Sequence, residues 1–534
     1  ANDGGSSGGA VTYLAGADSD SLDPGRAYQP YSWAIDYALN RPLYSYAPDD
    51  TAPRPDLAAS PPVISADGRR VTVRMRSDVR FSPPVNRSVV SSDVRYAIER
   101  AFTPAVANGY ARAYLGALDG VGAFLAGKVR HIQGIALPDA HTIVFRLHRP
   151  TGYRLARALS LPISAPVPER YARRYDRGAT SRYAKHMVAT GPYMVGSYRS
   201  GSSLTLVRNP NWVRSTDYRP APADRIAVRF DSGDVGVAAR QILATPATLS
   251  GGGMSLPPAL EKAIVGQHHG AYELLDTGAY AYAALSPAIP PFDDLNVRRA
   301  VAAGLNRVAI RQVQGGPLAG PIATHFLAPS MRGFDAAGGR TGFGFDFLAH
   351  PRGNPALARA YFRKAGYPSG RPSTAPAFTM PVVSDSAAFD EVVGQQLQNL
   401  GFRVRFRTVG WPTQYKVCGH DHSDFPVCDS TWLKDLDDGF TTLDVPFTKD
   451  GLGGFNYERY DDRAVDDALA RADAIQSPAA RARAMAGVDR LITSKALGVP
   501  LYWTRQLIFH GPKVHAIHNV HNQSWDLSFS GAVG

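Results

Sequence analysis

Strand-like and helix-like runs interleave from residue 11 to residue 510 with no fixed period, and this ordering constrains the fold most tightly. Residues 11–15 form an apolar run ahead of the turn Asp23-Pro24-Gly25 and predict a first strand. Residues 70–76 (RVTVRMR) and 142–147 (TIVFRL) alternate apolar with polar, the pattern of a half-buried strand. Further strands are expected at 191–195, 204–207 and 226–230, separated by Gly, Asn-Pro and Pro turns. Ser91-Ser92-Asp93 starts a helix that runs to about residue 102. Other helices are expected at 31–43, 293–310, 355–365, 390–400, 461–474 and 478–494. Gly366 and Gly401 stop the third and fourth, and a strand over 402–409 follows the second of these stops. Strands at 499–503 and 507–510 close the chain. Regular strand–helix–strand alternation is missing, so the expected class is α/β built of mixed α+β lobes. At 534 residues, a domain size of roughly 100–200 residues predicts about three lobes.

Composition excludes several classes. Apolar residues make up 44% and aromatics 10%, too many for a disordered chain. No stretch approaches the roughly 20 consecutive apolar residues of a membrane-spanning helix. The net charge is +12, yet basic residues are scattered as pairs such as Arg69-Arg70 and Arg298-Arg299, without the clustered stripe that nucleic acid needs. No nucleic-acid partner is expected.

Motifs for catalysis are weak. Gly122 to Lys128 fits the phosphate-loop spacing, but Val129 stands where a hydroxyl should hold Mg²⁺, so an ordinary helix and turn are expected. There is no GxSxG elbow and no HExxH helix. Asp437-Asp438 and Asp461-Asp462 read as loop or helix-cap residues. His515, His518 and His521 read as part of a polar surface strand. No cofactor and no metal are expected. Trp432 and Asp435, in Trp-Leu-Lys-Asp, pair an aromatic wall with an anion that can receive a cationic group; Trp411 and Tyr415 lie in the same segment.

The two cysteines, Cys418 and Cys428, sit ten positions apart, which points to one local disulfide and an oxidising compartment. Closing so short a loop stabilises by roughly 2–3 kcal/mol in the chain-entropy model. A metal site completed by His420 and His422, or free thiols, are the alternatives. Residues 1–10 (ANDGGSSGGA) read as a flexible tether, and with no apolar segment ahead of them the chain is expected to be a mature exported protein once held to a membrane.

Landmarks in a fixed order then converge. Ser21-Leu22-Asp23-Pro24, Leu43-Tyr44, Pro55-Asp56-Leu57-Ala58 and Asp67-Gly68 are followed by Val79-Arg80-Phe81 and Ser92-Asp93-Val94. Thr190-Gly191-Pro192-Tyr193, Arg208-Asn209-Pro210-Asn211-Trp212, Asn296-Val297-Arg298-Arg299-Ala300, Ala365-Gly366-Tyr367 and Leu400-Gly401-Phe402 complete the series. Over nearly the whole chain this resembles the extracellular solute-binding proteins of ABC transporters, family 5, the oligopeptide/dipeptide/nickel-binding type. Ser82-Pro83-Pro84 stands where the family usually has His-Asp-Gly.

The resemblance implies a periplasmic-binding-protein-like two-part clamp with a third, smaller lobe. Lobe I would be 11–48, 182–262 and 505–534, lobe II 49–181 and lobe III 263–504, with hinge crossings near 48–50 and 180–183. It implies no enzyme activity. The role would be capture of short peptides in an interlobe cleft and delivery to a membrane permease. The alternative is the same role for an oligosaccharide, a metal chelate or a siderophore-like molecule. The protein would be a monomer on the extracellular face of the membrane, lipid-anchored, or periplasmic where there is an outer membrane. Asp435 would receive the peptide's ammonium group, Trp432 and Trp411 would wall its side-chain pockets, and Tyr28 and Tyr31 would face the cleft. The family's continuation after this Asp is replaced here by Leu436-Asp437-Asp438-Gly439, and Lys434 stands beside the key acid.

Overall fold

The computed structural model describes residues 8–230, 233–384, 387–420 and 424–533, with the side chains of 411, 412 and 415 outside that set. It divides into two compact units. One holds the described residues of Ala1–Leu256, Ala263–Leu275 and Leu507–Gly534; the other holds Pro257–Lys262 and Asp276–Gln506.

The first unit is built on a mixed five-stranded sheet. Its order is Thr248–Ser250, Ala10–Ala15, Arg225–Phe230, Ser203–Arg208, Tyr193–Arg199. Ala10–Ala15 runs parallel to both of its neighbours, and the later pairs are antiparallel. Val11, Tyr13 and Ala15 point into a core with Ile226, Val228, Leu204 and Leu206, while Leu14 is also buried, so this strand is covered on both faces. The start of the chain joins it: Gly8 donates its N–H to the Pro222 carbonyl at 2.9 Å, and Gly9 donates to Asp224 Oδ2 at 3.0 Å. Residues 1–7 of the expected tether lie outside the described residues. A second sheet, antiparallel, has the order Val63–Ile64, Arg70–Arg74, Thr142–Arg146, Ile135–Asp139. Val71 and Val73 are buried and Arg70 and Arg74 exposed, as the alternation predicts.

The second unit centres on a three-stranded sheet ordered Val427–Trp432, Tyr272–Leu285, Gly498–Phe509, of which residues 272–275 and 507–509 belong to the first unit. A parallel pair, Phe378–Val383 and Val404–Val409, is linked by the helix Ala387–Leu400. The core gathers Phe292, Val297, Val301, Phe362, Phe378, Val393, Leu397 and Phe402.

Three local readings change. The helix expected over 293–310 is two helices, Leu295–Gly304 and Arg307–Val313. Asn306 breaks it, because its side chain accepts the N–H of Ala309 and starts a new helix. The closing strands are one, Gly498–Phe509. Tyr272–Leu285 is a fourteen-residue strand that the pattern does not announce. Its Ala279-Tyr280-Ala281-Tyr282-Ala283 run alternates in size and not in polarity, since both faces are buried. The phosphate-loop spacing also resolves: Val121–Leu125 is a helix and Gly127-Lys128 follows its end, the reverse of a loop that opens a helix.

A buried ion network holds segments 41–56 and 212–219 of the first unit together. Arg41 Nε donates to Asp56 Oδ1 at 2.7 Å, and Arg219 Nη2 reaches the same carboxylate at 3.0 and 3.1 Å. Arg219 Nε donates to Asp217 at 2.9 Å, and the Trp212 indole adds a bond to Asp217 at 2.9 Å. All four charged side chains are at most 3% exposed. Burial alone would raise the Asp217 carboxyl, but Arg219 and Arg41 outweigh it and hold it at about 2. Removing one partner strands a buried charge, so Asp56→Ala should cost about 3–5 kcal/mol in urea unfolding. Because the folded Asp217 is depressed, its contribution is present above its unfolded pKa and is lost as pH falls towards about 2. The stability deficit of Asp217→Asn should therefore be large at pH 7 and shrink steadily below pH ~4.

Candidate functional site

The segment carrying the predicted ligand residues leaves the central sheet of the second unit at Trp432. This residue ends the strand Val427–Trp432 and lies opposite Tyr280. Its indole N–H donates to the Thr441 carbonyl at 2.8 Å, which fixes the ring, and Phe455 meets it edge-on at 5.5 Å. Leu433, the next residue, is 40% exposed, and Phe455 is 44% exposed; both add apolar surface. The acids that follow divide by environment. Asp438 is buried and engaged by Arg481, with Nε at 2.7 Å and Nη2 at 2.9 Å, and it also caps Phe440. Asp437 is buried and accepts the Arg332 N–H at 3.1 Å. Of the loop or helix-cap roles expected from sequence, Asp438 takes the cap, at Phe440, and both acids are buried where a solvated loop would leave them exposed. Asp435 is half-buried. Lys434 is 5% exposed, and its stem lies across Gly278. That glycine has φ +70°, and a Cβ there would stand 2.3 Å from Lys434 Cδ, so only glycine admits the lysine.

Upstream, Trp411 begins the helix Trp411–Gly419, and its side chain lies outside the described residues, as does that of Tyr415. Cys418 and Cys428 form a disulfide, with Cα atoms 6.2 Å apart, that ties this helix to the strand leading to Trp432. The metal alternative for this segment invoked His422, which lies outside the described residues.

Tyr28 and Tyr31 belong to the first unit. Tyr28 is 40% exposed and packs against Trp33 at 6.3 Å and Tyr110 at 5.6 Å, which join Tyr114 in an aromatic cluster. Tyr31 is half-buried against Gly252, where any Cβ would collide at 2.1 Å. Burial and the nearby Asp20 and Asp18 raise its phenol pKa. The predicted residues thus fall into two groups, Tyr28 and Tyr31 in one unit and Trp411, Trp432, Asp435 and the disulfide in the other.

Two features of the second unit escape sequence reasoning. Asp390 and Asp429, from separate segments, form a buried carboxyl pair beneath the Trp411–Gly419 helix. Val383 donates its N–H to Asp390 at 2.6 Å, and Gln414 donates to Asp429 Oδ1 at 3.2 Å. Burial and the neighbouring Asp429 push Asp390 up to about 10, so the pair holds a proton at neutral pH. Glu458 is buried beside Gly498, with no hydrogen-bond partner for either carboxyl oxygen among the described residues, and burial pushes it well above the usual range. No sequence spacing marks either feature.

The second unit thus carries a fixed tryptophan and a half-buried acid on one loop, and comparison with known proteins gives the family. Residues 52–454 match the model of the bacterial extracellular solute-binding proteins, family 5 (middle), and the chain belongs to that family. It is 24% identical over 511 residues to the di/tripeptide-binding protein 2 of Pseudomonas aeruginosa, covering 92% of this chain and 86% of the relative. It is 23% identical over 453 residues to a probable deoxycholate-binding periplasmic protein of Escherichia coli, covering 82% and 77%. Among solved structures, clavulanic acid biosynthesis oligopeptide binding protein 2 superposes with TM-score 0.85 and 26% identity over 99% of this chain and 96% of that one.

The carboxyl pair makes a pH prediction. A raised acid lends stability below its unfolded pKa, and this is lost as pH rises toward the folded value. Asp390→Asn keeps an amide donor toward Asp429 and removes the titration. Its melting temperature relative to the parent should rise progressively from pH ~4 to pH ~9, as differential scanning calorimetry can follow.

Proposed function

We propose that this chain is the extracellular substrate-binding component of an ABC importer that captures short peptides and hands them intact to a membrane permease. The observation that carries the reading is the loop 432–435, where a ring fixed by its own hydrogen bond stands three residues from a half-buried carboxylate. Arg332 and Arg481 tie the neighbouring Asp437 and Asp438 and so hold this loop in place. A peptide's ammonium pairs with Asp435 through charge-assisted hydrogen bonds, stronger than neutral ones. Its backbone supplies the same donors and acceptors whatever the side chains, so recognition tolerates many sequences. Side chains rest against Trp432 and Trp411, with water filling the remaining space.

In this reading the lobes are those the resemblance implies, at 11–48, 182–262 and 505–534 for lobe I, 49–181 for lobe II and 263–504 for lobe III. Tyr28 and Tyr31 are the ligand contacts proposed on the first unit, as Asp435, Trp432 and Trp411 are on the second. A solute drives closure only by binding the closed form more tightly than the open one. The protein works as a lipid-anchored monomer, forms no covalent intermediate and releases its solute unchanged. The names of the relatives support peptides first. A bile-salt-type solute is the second reading, supported by the deoxycholate-binding relative and the exposed Leu433 and Phe455 beside Trp432.

Calorimetry with trialanine tests the assignment. The parent should bind with a micromolar or lower Kd, at least ~8 kcal/mol. Asp435→Ala should lose about 1.5–3 kcal/mol, and acetylating the peptide's amine should cost the parent a similar amount but the variant little. Equal affinity in parent and variant would remove Asp435 from the site.

A further inference from the structure

In the first unit a cavity of about 530 Å³ opens between the helix Ser91–Ala101, the segment 103–105, the helix Val121–Leu125 with the residues after it, and residues 173–179. Its size suits a small organic molecule. Its two carboxylates already have their partners. Asp176 accepts from the Tyr96 hydroxyl at 2.7 Å, from Arg100 at 2.6 and 2.8 Å, and from Ser181 at 2.6 Å. Glu99 accepts the Ile132 N–H at 2.9 Å and faces His131 Nδ1 at 3.0 Å. The buried Arg100 is also engaged by Asp23, at 2.7 and 2.8 Å. Arg173 pairs with Glu169 at 2.6 Å and lies over the Tyr96 ring.

Two cations remain. Arg130 and Arg177 line the cavity, are exposed, and have no acidic partner among the described residues. The backbone N–H groups of Arg177, Gly178 and Ala179 meet no acceptor among the described residues either. The Phe124 ring offers an apolar surface within the same cavity. Guanidinium forks and free amides recognise oxyanions, and two unmatched positive charges suit a dianion. A phosphomonoester carries about −1.5 to −2 at pH 7. The volume leaves room for a body beyond the phosphate.

We propose that this cavity is a second binding site, separate from solute capture, that takes an organic phosphomonoester through Arg130 and Arg177 with its organic part against Phe124. A free phosphomonoester and one carried by a lipid such as phosphatidic acid present the same chemistry to the two arginines.

Calorimetry of the full chain with phenyl phosphate, inorganic phosphate and phosphatidic acid vesicles tests it. Phenyl phosphate or the vesicles should bind, and the double variant R130Q/R177Q should weaken that binding about a hundredfold, near tenfold per arginine. Both arginines are exposed, so the variant should keep the parent's melting temperature and its trialanine affinity. Response to phenyl phosphate assigns a free ligand, and response to vesicles alone assigns a lipid headgroup. Inorganic phosphate binding as tightly as phenyl phosphate would overturn the role of the organic body. Failure of both organic probes, or equal binding by the double variant, would overturn the site.

Discussion

Arginine used inside the protein, clamped between carboxylates, underlies much of this structure. Arg41 and Arg219 share Asp56 and Asp217 without solvent. Arg100 joins Asp23, at the exit of the first strand, to Asp176 beyond the helix Glu169–Ala172. Arg481 does the same in the second unit between Asp438 and Asp473. Each links segments far apart in sequence, and each depends on every member being present, since a lone buried charge is costly. Arginine suits this role because its planar fork can serve two carboxylates at once and stays charged when buried. A chain with 58 basic residues can therefore be strongly basic overall while many of its guanidinium groups act as internal ties.

The same logic acts on the acids of the candidate loop 432–438. Four positions, 435 to 438, contain three aspartates. Two are drawn into the second unit by Arg332 and Arg481, and these ties hold the loop in place. The disulfide and the Trp432–Thr441 bond anchor its other end. Rigid support on both sides is what a binding residue needs, because a side chain already held in position loses less freedom when a ligand arrives.

Much of the architecture is legible in local pattern. The helix Pro478–Ser494 matches its expected bounds, and Arg70–Arg74 shows the burial its alternation predicts. Glycine stops are equally direct: Gly366 and Gly401 both have positive φ, which other residues adopt at a cost. Legibility fails where burial covers both faces. Tyr272–Leu285 has no polar phase to reveal it, although it is the middle strand of its sheet. It fails again where partners meet only through tertiary structure. Asp390 and Asp429, or Arg41 and Asp217, have no spacing that could pair them in advance. At the candidate site, Trp432 and Asp435 are readable as a short motif, whereas the employment of Asp437 and Asp438 is not, because Arg332 and Arg481 come from distant segments.

The central claim is that the protein holds a small guest and makes no bond in it. Native mass spectrometry of gently purified protein measures this most directly. The account predicts a species heavier than the chain by the mass of a short peptide, which leaves whole when the protein is denatured. Protein that carries no guest, or fragments of an added peptide appearing in solution, would contradict it.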